Sequence, residues 1–349
     1  MMQFKINNIT IDVNSKPYII AEVSANHNGS IERALKLIEA AKANGADAVK
    51  FQTYTASTMT FDLETEDFQI NNGGLWDGQS LYSLYSNAET PFEWMKLLYK
   101  KGKQVGITVF STPFDDSAVD LLEELNTPLY KVSSFEMTDH ELLKKIAKTG
   151  KPIILSTGLA HYGEIEESVN IIKNFGSENI AVLHCISGYP TPPSDLNLAT
   201  IVDLRNKLNL ITGFSDHTKG INAAIAATTY GAKIIEKHLT DTRDNDSADK
   251  EFSIVPSELL NLSKSINEFW EYYGSPNYDL KSSEKQNLRF RRSLYFNKDI
   301  EKGSVIKESD ISRIRPGFGL EIKYLNDVIG KELKVSIKYG DRVSFDVFE

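Results

Sequence analysis

Between residues 18 and 273 the chain alternates short β-rich runs with longer stretches of helical period, eight times over. The runs are YIIAEVS (18–24), DAVKFQT (47–53), ITVFST (107–112), LYKVSS (129–134), PIILST (152–157), IAVLHC (180–185), LITGFS (210–215) and KIIEKHL (233–239). Amphipathic stretches at 31–43, 91–104, 117–125, 141–148 and 164–174 separate them, with Gly45, Gly106, Gly150 and Gly231 where helices should stop. Strands so uniformly apolar are those of a parallel sheet, buried on both faces. Eight β-then-α units therefore predict an α/β fold, a (β/α)8 TIM barrel over 1–273, with a doubly wound open sheet as the alternative. No strand-turn-helix carries the GxGxxG of a dinucleotide site; Asn28-Gly29-Ser30 reads as a turn with Ser30 as N-cap.

Two regions depart from this rhythm. The segment 61–90, with INNGGLWDGQSLYSLYS, is too long and too aromatic for a plain connector and reads as a lid, a binding loop or a small packed subdomain over one barrel end. After 273, a polar linker (274–288) leads into short strand-like pieces punctuated by turns, which predict a small β-rich domain over 289–349.

Charge and composition narrow the function. Lys and Arg number 39 against 48 Asp and Glu, a net −9, which argues against a nucleic-acid or anionic-membrane partner. No apolar run approaches the length of a membrane span, and MMQFKINNITIDVNS lacks the basic start and apolar core of a signal peptide, so a cytoplasmic location is expected. The single cysteine, Cys185, cannot form an internal disulfide and reads as a packed core thiol.

The apolar runs end on chemically useful side chains, and side chains at the carboxyl ends of barrel strands converge on one face. Lys50 and Lys131 lie inside otherwise apolar strands, where an ammonium is costly unless an anion pairs with it. The bland reading of each is an ion pair with a barrel carboxylate. Together with the hydroxyls of Thr112, Ser134, Ser156 and Ser215, the two lysines favour a site for a phosphate or carboxylate. His217 and His238 end the seventh and eighth runs, so neutral imidazoles on adjacent strands could share a divalent metal with open positions; the bland reading is a pair of capping or core histidines. Glu22 and Glu136 follow their strands and could accept hydroxyl hydrogen bonds or act as general bases, or could simply pair with Lys50 or Lys131. Glu236 reads as the member of a structural ion pair, and His184 as core.

The ordered segments AEVSANHNGS, VKFQTY, FSTPFD, YKVSSFE, LSTG, LHCISGYPTPPSDLNL, GFSDHT, IEKHLT and IRPGFG resemble the sialic acid synthase family of nonulosonate synthases, over essentially the whole chain. Within that family, residues 66–94 and the segments RRSLY and RPGFGL resemble the pseudaminate-forming branch more than the N-acetylneuraminate or legionaminate branches. The resemblance implies a TIM barrel followed by a SAF (antifreeze-like, β-clip) domain, in a domain-swapped homodimer. It implies condensation of phosphoenolpyruvate with an open-chain amino sugar, in this branch a diacetamido-trideoxy sugar, with a divalent metal such as manganese or magnesium. Carried over residue by residue, Lys50, Thr112, Lys131, Ser134, Ser156, Ser187 and Ser215 would hold phosphoenolpyruvate, and His217 and His238 the metal. Glu22, Tyr189, Asp249 and Arg315 would contact the sugar, Arg315 from the other subunit, and Glu136 would orient the attacking water. Ser187 stands where N-acetylneuraminate synthases carry Asn, and Ser133 and Phe135 flank Ser134 where those enzymes use glycines. Two rivals from other classes are a Schiff-base aldolase on Lys131 and a non-enzymatic interaction module on a degenerate barrel.

Overall fold

The computed structural model describes residues 2–349, which divide into two compact units between Gly274 and Ser275. The first opens with a hairpin, β1 (Gln3–Ile6) and β2 (Ile9–Asp12), turning at Asn7-Asn8 with Asn7 in the left-handed region that asparagine tolerates (φ 50°). Eight parallel strands follow: β3 (Tyr18–Glu22), β4 (Ala48–Thr53), β5 (Thr108–Pro113), β6 (Tyr130–Val132), β7 (Ile153–Ser156), β8 (Ile180–Cys185), β9 (Ile211–Asp216) and β10 (Ile234–His238). They pair in sequence order and β10 closes onto β3, which makes the barrel and excludes the open sheet.

The five helices expected between strands form as Ile31–Ala43, Phe92–Val105, Asp116–Glu124, His140–Lys148 and Tyr162–Phe175. Their ends follow local chemistry. Ser30 caps the first, its Oγ accepting from Arg33 N–H at 3.3 Å, and Gly106 terminates the second in the left-handed conformation (φ 71°). Apolar helix residues such as Leu37, Leu98, Leu122 and Ile146 bury against the outward strand residues Ile19, Val49, Phe51, Val109, Leu155 and Ile235.

The inward positions tell a different story. Ile20, Ala48, Phe110, Leu129, Ile154, Leu183, Ile211 and Ile234 form one buried cluster inside the barrel, and Phe4, Ile6 and Ile11 of the hairpin complete it. The sequence reading assigns no element to residues 3–12; in the structure they plug the amino-terminal end of the barrel. Two residues further along most of these strands the inward side chain is polar: Glu22, Lys50, Thr112, Lys131, Ser156 and Glu236. On β9 the step is delayed, because Gly213 sits where an added Cβ would stand 2.2 Å from the Ile234 carbonyl, and Ser215 follows. An apolar plug at one end and a polar layer at the other leave the carboxyl end of the barrel as the reactive face.

The segment 61–90 is structured. A 3-10 turn (Glu66–Phe68), a bridge between Gln69 and Ser80 and a helix (Leu81–Ala88) fold it over the carboxyl end, where Trp76 Nε1 donates to the Ala248 carbonyl at 3.1 Å.

The second unit has its own core of Leu294, Phe296, Ile306, Val328, Leu333 and Val343. Its one ladder joins β11 (Ser293–Phe296) to β12 (Ile311–Ile314); the other β contacts are isolated bridges. Part of the stretch read as linker is coiled into 3-10 turns (Ser282–Phe290), its start closed by Glu284 accepting from Lys281 N–H at 3.0 Å. Among the described residues no helix is long and apolar enough to cross a membrane.

Because Phe4 is fully enclosed in the plug, Phe4→Ala should cost about 3–5 kcal/mol of stability, read as a lowered denaturant midpoint at unchanged slope. A shift within error would show that the plug contributes nothing to barrel stability.

Candidate active site

At the centre of the polar layer stands Lys50, projected inward from β4. Its Nζ forms an ion pair with Glu22 of β3, lies 3.6 Å from Glu236 Oε1 of β10 and donates to Thr112 Oγ1 of β5 at 3.1 Å. Burial would lower the Lys50 pKa, but the two carboxylates outweigh it and hold the ammonium above the usual lysine range. Glu22, fully enclosed, is pushed by burial up to about 7 against the pull of Lys50. Glu236 goes the other way: burial would raise it, yet Lys131, Lys50 and the two histidines hold it down at about 2.

Lys131, from β6, has no such company. It is 2% exposed, no carboxylate lies within ion-pairing distance among the described residues, and the hydrogen bond its Nζ makes is to the neighbouring Val132 carbonyl at 2.9 Å. Burial accordingly lowers its pKa. Around it are hydroxyls with capacity to spare. Ser156 Oγ and Ser187 Oγ are buried without a hydrogen-bond partner, and Ser134 Oγ accepts from Gly158 N–H at 2.9 Å. Gly158 is required there, since a Cβ would stand 2.2 Å from Ser187 Oγ and 2.8 Å from Ser134 Oγ.

Across the barrel, His217 and His238 face each other with ring centroids 5.3 Å apart. His217 Nδ1 must donate to the Ile186 carbonyl at 3.0 Å, which in the neutral imidazole leaves Nε2 with its lone pair. His238 Nδ1 has no hydrogen-bond partner and lies 3.5 Å from Asp249 Oδ2. Two imidazoles so arranged, with Asp249 held below the usual carboxylate range by His238 against the effect of burial, suit a two-histidine metal site with open positions. No set of three or more His, Cys, Asp and Glu in metal-binding arrangement occurs among the described residues, so a metal here would take its remaining ligands from substrate or water. Tyr189 packs on His217 at 4.5 Å between centroids, with Phe252 and Trp76 behind it.

These groups share one cavity of about 390 Å³. Lys50, Lys131, Ser134, Glu136, Ser156, Tyr189, Ser215, His217, His238 and Asp249 all line it. Four expected members do not. Glu22 is sealed behind Lys50, so pairing, the bland alternative, is what the structure places there. Thr112 is the buried acceptor of Lys50, and Ser187 stands one layer back, beside Ser134 and Gly158. Arg315 is exposed in the second unit.

The cavity also has members to which the sequence assigns no site role. Glu236, read as a structural ion pair, does approach Lys50 but also lines the cavity and accepts from Ser215 Oγ at 3.3 Å. Cys185 is buried as expected, yet it too borders the cavity, with Sγ 3.8 Å from His217 Nδ1. Gln52 does so as well. A period-two count from Lys50, Leu183 and His238 puts Gln52, Cys185 and Glu236 on the inward face and could have found them. Trp76, Tyr85 and Phe114 close the cavity from the 61–90 segment and the end of β5, which no strand period signals.

Residues 37–278 match the NeuB family and residues 291–349 match the SAF domain. The chain is 40% identical over 345 residues to the pseudaminic acid synthase of Campylobacter jejuni, covering 99% of this chain and 100% of that one. It is 37% identical over 320 residues to the N,N'-diacetyllegionaminic acid synthase of the same species, covering 90% and 95%. Among solved structures, it resembles the N-acetylneuraminic acid synthetase of Leptospira borgpetersenii in complex with citrate, at 32% identity and a TM-score of 0.74, covering 83% of this chain and 96% of that one. With the family match spanning most of the barrel, the chain belongs to the NeuB family and carries a SAF domain after its barrel.

Proposed function

We propose that this protein is a pseudaminic acid synthase, condensing phosphoenolpyruvate with 2,4-diacetamido-2,4,6-trideoxy-altrose and water to give pseudaminic acid and phosphate. The observation that carries the reading is Lys131, a buried amine with no carboxylate within ion-pairing distance among the described residues, lining one cavity with Ser134 and Ser156, whose hydroxyl lacks a hydrogen-bond partner. Its charged form is stable only with an anion beside it. Phosphoenolpyruvate supplies one, with Lys50 and Lys131 as cations and Ser134, Ser156 and Ser215 as donors. The choice of sugar rests on the likeness to the C. jejuni pseudaminic acid synthase.

In the proposed reaction, C3 of phosphoenolpyruvate bonds to the sugar aldehyde carbon and the aldehyde oxygen gains a proton. Water adds at C2, and the C–O bond to phosphate breaks while the water oxygen stays on the sugar acid. A divalent metal held by His217 and His238 would act there as a Lewis acid toward the aldehyde oxygen. The chain's own groups do the rest. Lys50 and Lys131 hold the anion and balance the charge on the leaving phosphate. Tyr189 and Asp249 line the cavity beside His217 and His238, and in this reading they bind sugar hydroxyls. Burial raises Glu136 above the usual carboxylate range, which suits a group that takes a proton from water. The folded segment 61–90 supplies Trp76, Leu81 and Tyr85 to the cavity wall, an arrangement suited to limiting access of bulk water. We further propose a cytoplasmic homodimer in which Arg315 completes the partner's site.

The deciding assay incubates pure enzyme with phosphoenolpyruvate and the altrose, legionaminate-precursor and N-acetylmannosamine sugars in turn, in oxygen-18 water, with products identified by mass spectrometry and NMR. Pseudaminic acid, formed fastest from the altrose and released with unlabelled phosphate, is expected. Preference for another sugar would reassign the substrate, and labelled phosphate would sink the C–O cleavage route. Chelation separates metal-dependent condensation from a Schiff-base aldolase, whose case rests on the lowered pKa of Lys131. EDTA should abolish turnover and Mn2+ restore it, and His217→Ala should remove that restoration. Activity that survives EDTA and is trapped by borohydride would favour the aldolase. For the dimer, mixing inactive Arg315→Ala with inactive His217→Ala should recover part of the activity; no recovery despite demonstrated subunit exchange would exclude a cross-subunit arginine.

A further inference from the structure

The motifs FSDHT and IEKHLT each place a charged residue directly before a histidine, and neither charge faces the cavity. Asp216 and Lys237 are paired directly across β9 and β10. Strand alternation turns them outward, while Ser215, His217, Glu236 and His238 turn inward. There Lys237 Nζ lies 3.1 Å from Asp216 Oδ2, and both side chains are 0% exposed. Other outward residues of these two strands, Phe214 and Ile235, belong to the apolar layer between barrel and helices. A fully enclosed ion pair in that layer gains little over apolar residues of similar volume, so stability alone does not account for it.

What the pair does locally is specific. Asp216 Oδ1 accepts from Thr218 N–H at 2.8 Å, and Lys237 Nζ donates to the Thr218 carbonyl. Both polar groups of the Thr218 backbone are thus tied by side chains, one from its own strand end and one from the neighbouring strand. His217 lies between the two tied residues and is the first residue beyond β9, where regular strand pairing has ended. Its own carbonyl accepts from Thr191 N–H at 3.0 Å and its Nδ1 donates to Ile186, so the strap 186–191 holds it from the other side. Lys237 is in turn the residue that carries His238. One network therefore grips the backbone next to both imidazoles.

We infer that Asp216 and Lys237, acting through Thr218, are positioning residues that set the separation of His217 and His238 for a divalent cation. The inference rests on the two-histidine metal site of the proposed function. Outer groups of this kind orient metal ligands, and their loss typically weakens metal binding about 10–100-fold.

The test measures Mn2+ binding by calorimetry and melting temperature on the full chain, for wild type, Lys237→Met and the charge-free pair Asp216→Asn/Lys237→Met. Lys237→Met leaves a buried carboxylate unpaired and should lower both melting temperature and affinity. The double variant should regain most of the melting temperature while Mn2+ affinity stays down about tenfold or more. Affinity that returns together with stability would reduce the pair to a structural element and overturn the inference. Asp216→Glu keeps both charges but moves the acceptor off Thr218 N–H. It should weaken Mn2+ several-fold even if the double variant fails to fold, and unchanged affinity there would equally overturn the proposal. Should wild type bind no Mn2+, the metal reading itself falls and the positioning role with it; should wild type bind and every folded variant bind alike, only the positioning role falls.

Discussion

A buried ammonium with no ion-pair partner organises this molecule. Lys50 is neutralised from two sides by Glu22 and Glu236, whereas Lys131 has no carboxylate within ion-pairing distance among the described residues, feels Glu236 only through space, and hydrogen-bonds to the Val132 carbonyl. In a low-dielectric interior that imbalance is tolerable when an anion completes the layer, so ligand binding and the electrostatics of the barrel are two sides of one constraint. The same charges act on both carboxylates: burial would raise Glu236, but Lys131, Lys50 and the two histidines hold it below the usual carboxylate range, while Glu22, with fewer cations about it and the Glu236 charge nearby, is raised by burial. Two carboxylates on adjacent strands thus differ by environment alone.

The rest of the architecture isolates that layer. The hairpin carries Phe4, Ile6 and Ile11 into the amino-terminal end, where they pack in one cluster with Ile20, Phe110 and Leu183 of the strands, and Gly213 occurs where an added Cβ would meet the Ile234 carbonyl. Above the layer, Trp76 ties the 61–90 segment to the loop at Ala248. Between plug and cover, Lys50, Lys131, Ser156, Ser215 and His238 sit on strands, while Ser134 and His217 lie just beyond theirs and are tied by hydrogen bonds to Gly158 and Ile186, which keeps hydroxyls and imidazoles in place without reorganisation.

Much of this was legible in the chain. Eight apolar runs with glycine-ended amphipathic stretches between them specify the barrel, because burial on both faces and helical periodicity are local properties of sequence. Lys50, Lys131, Ser156, Ser215, His217 and His238 were visible as polar breaks in apolar strands. Glu236, on the opposite face from Ile235 and Lys237, does close an ion pair with Lys50 as strand alternation suggests; that it also lines the cavity follows only from the packing of the barrel interior. The hairpin was missed because Phe4, Ile6 and Ile11 look like an unremarkable amino terminus; only their distant partners, such as Phe110 and Leu183, give them meaning.

By itself, then, the sequence determined the alternation of elements, the family, and the residue types available at the strand ends, all of which follow from periodicity and motif. Tertiary structure alone decided which of those residues meet. It sealed Glu22 and Thr112 behind Lys50, left Lys131 without a close ion-pair partner, turned Asp216 and Lys237 away from the cavity and brought Trp76 over its mouth. The physical reason is barrel closure. Pairing β10 with β3 sets residues more than two hundred positions apart side by side, and no local pattern in the chain encodes that register.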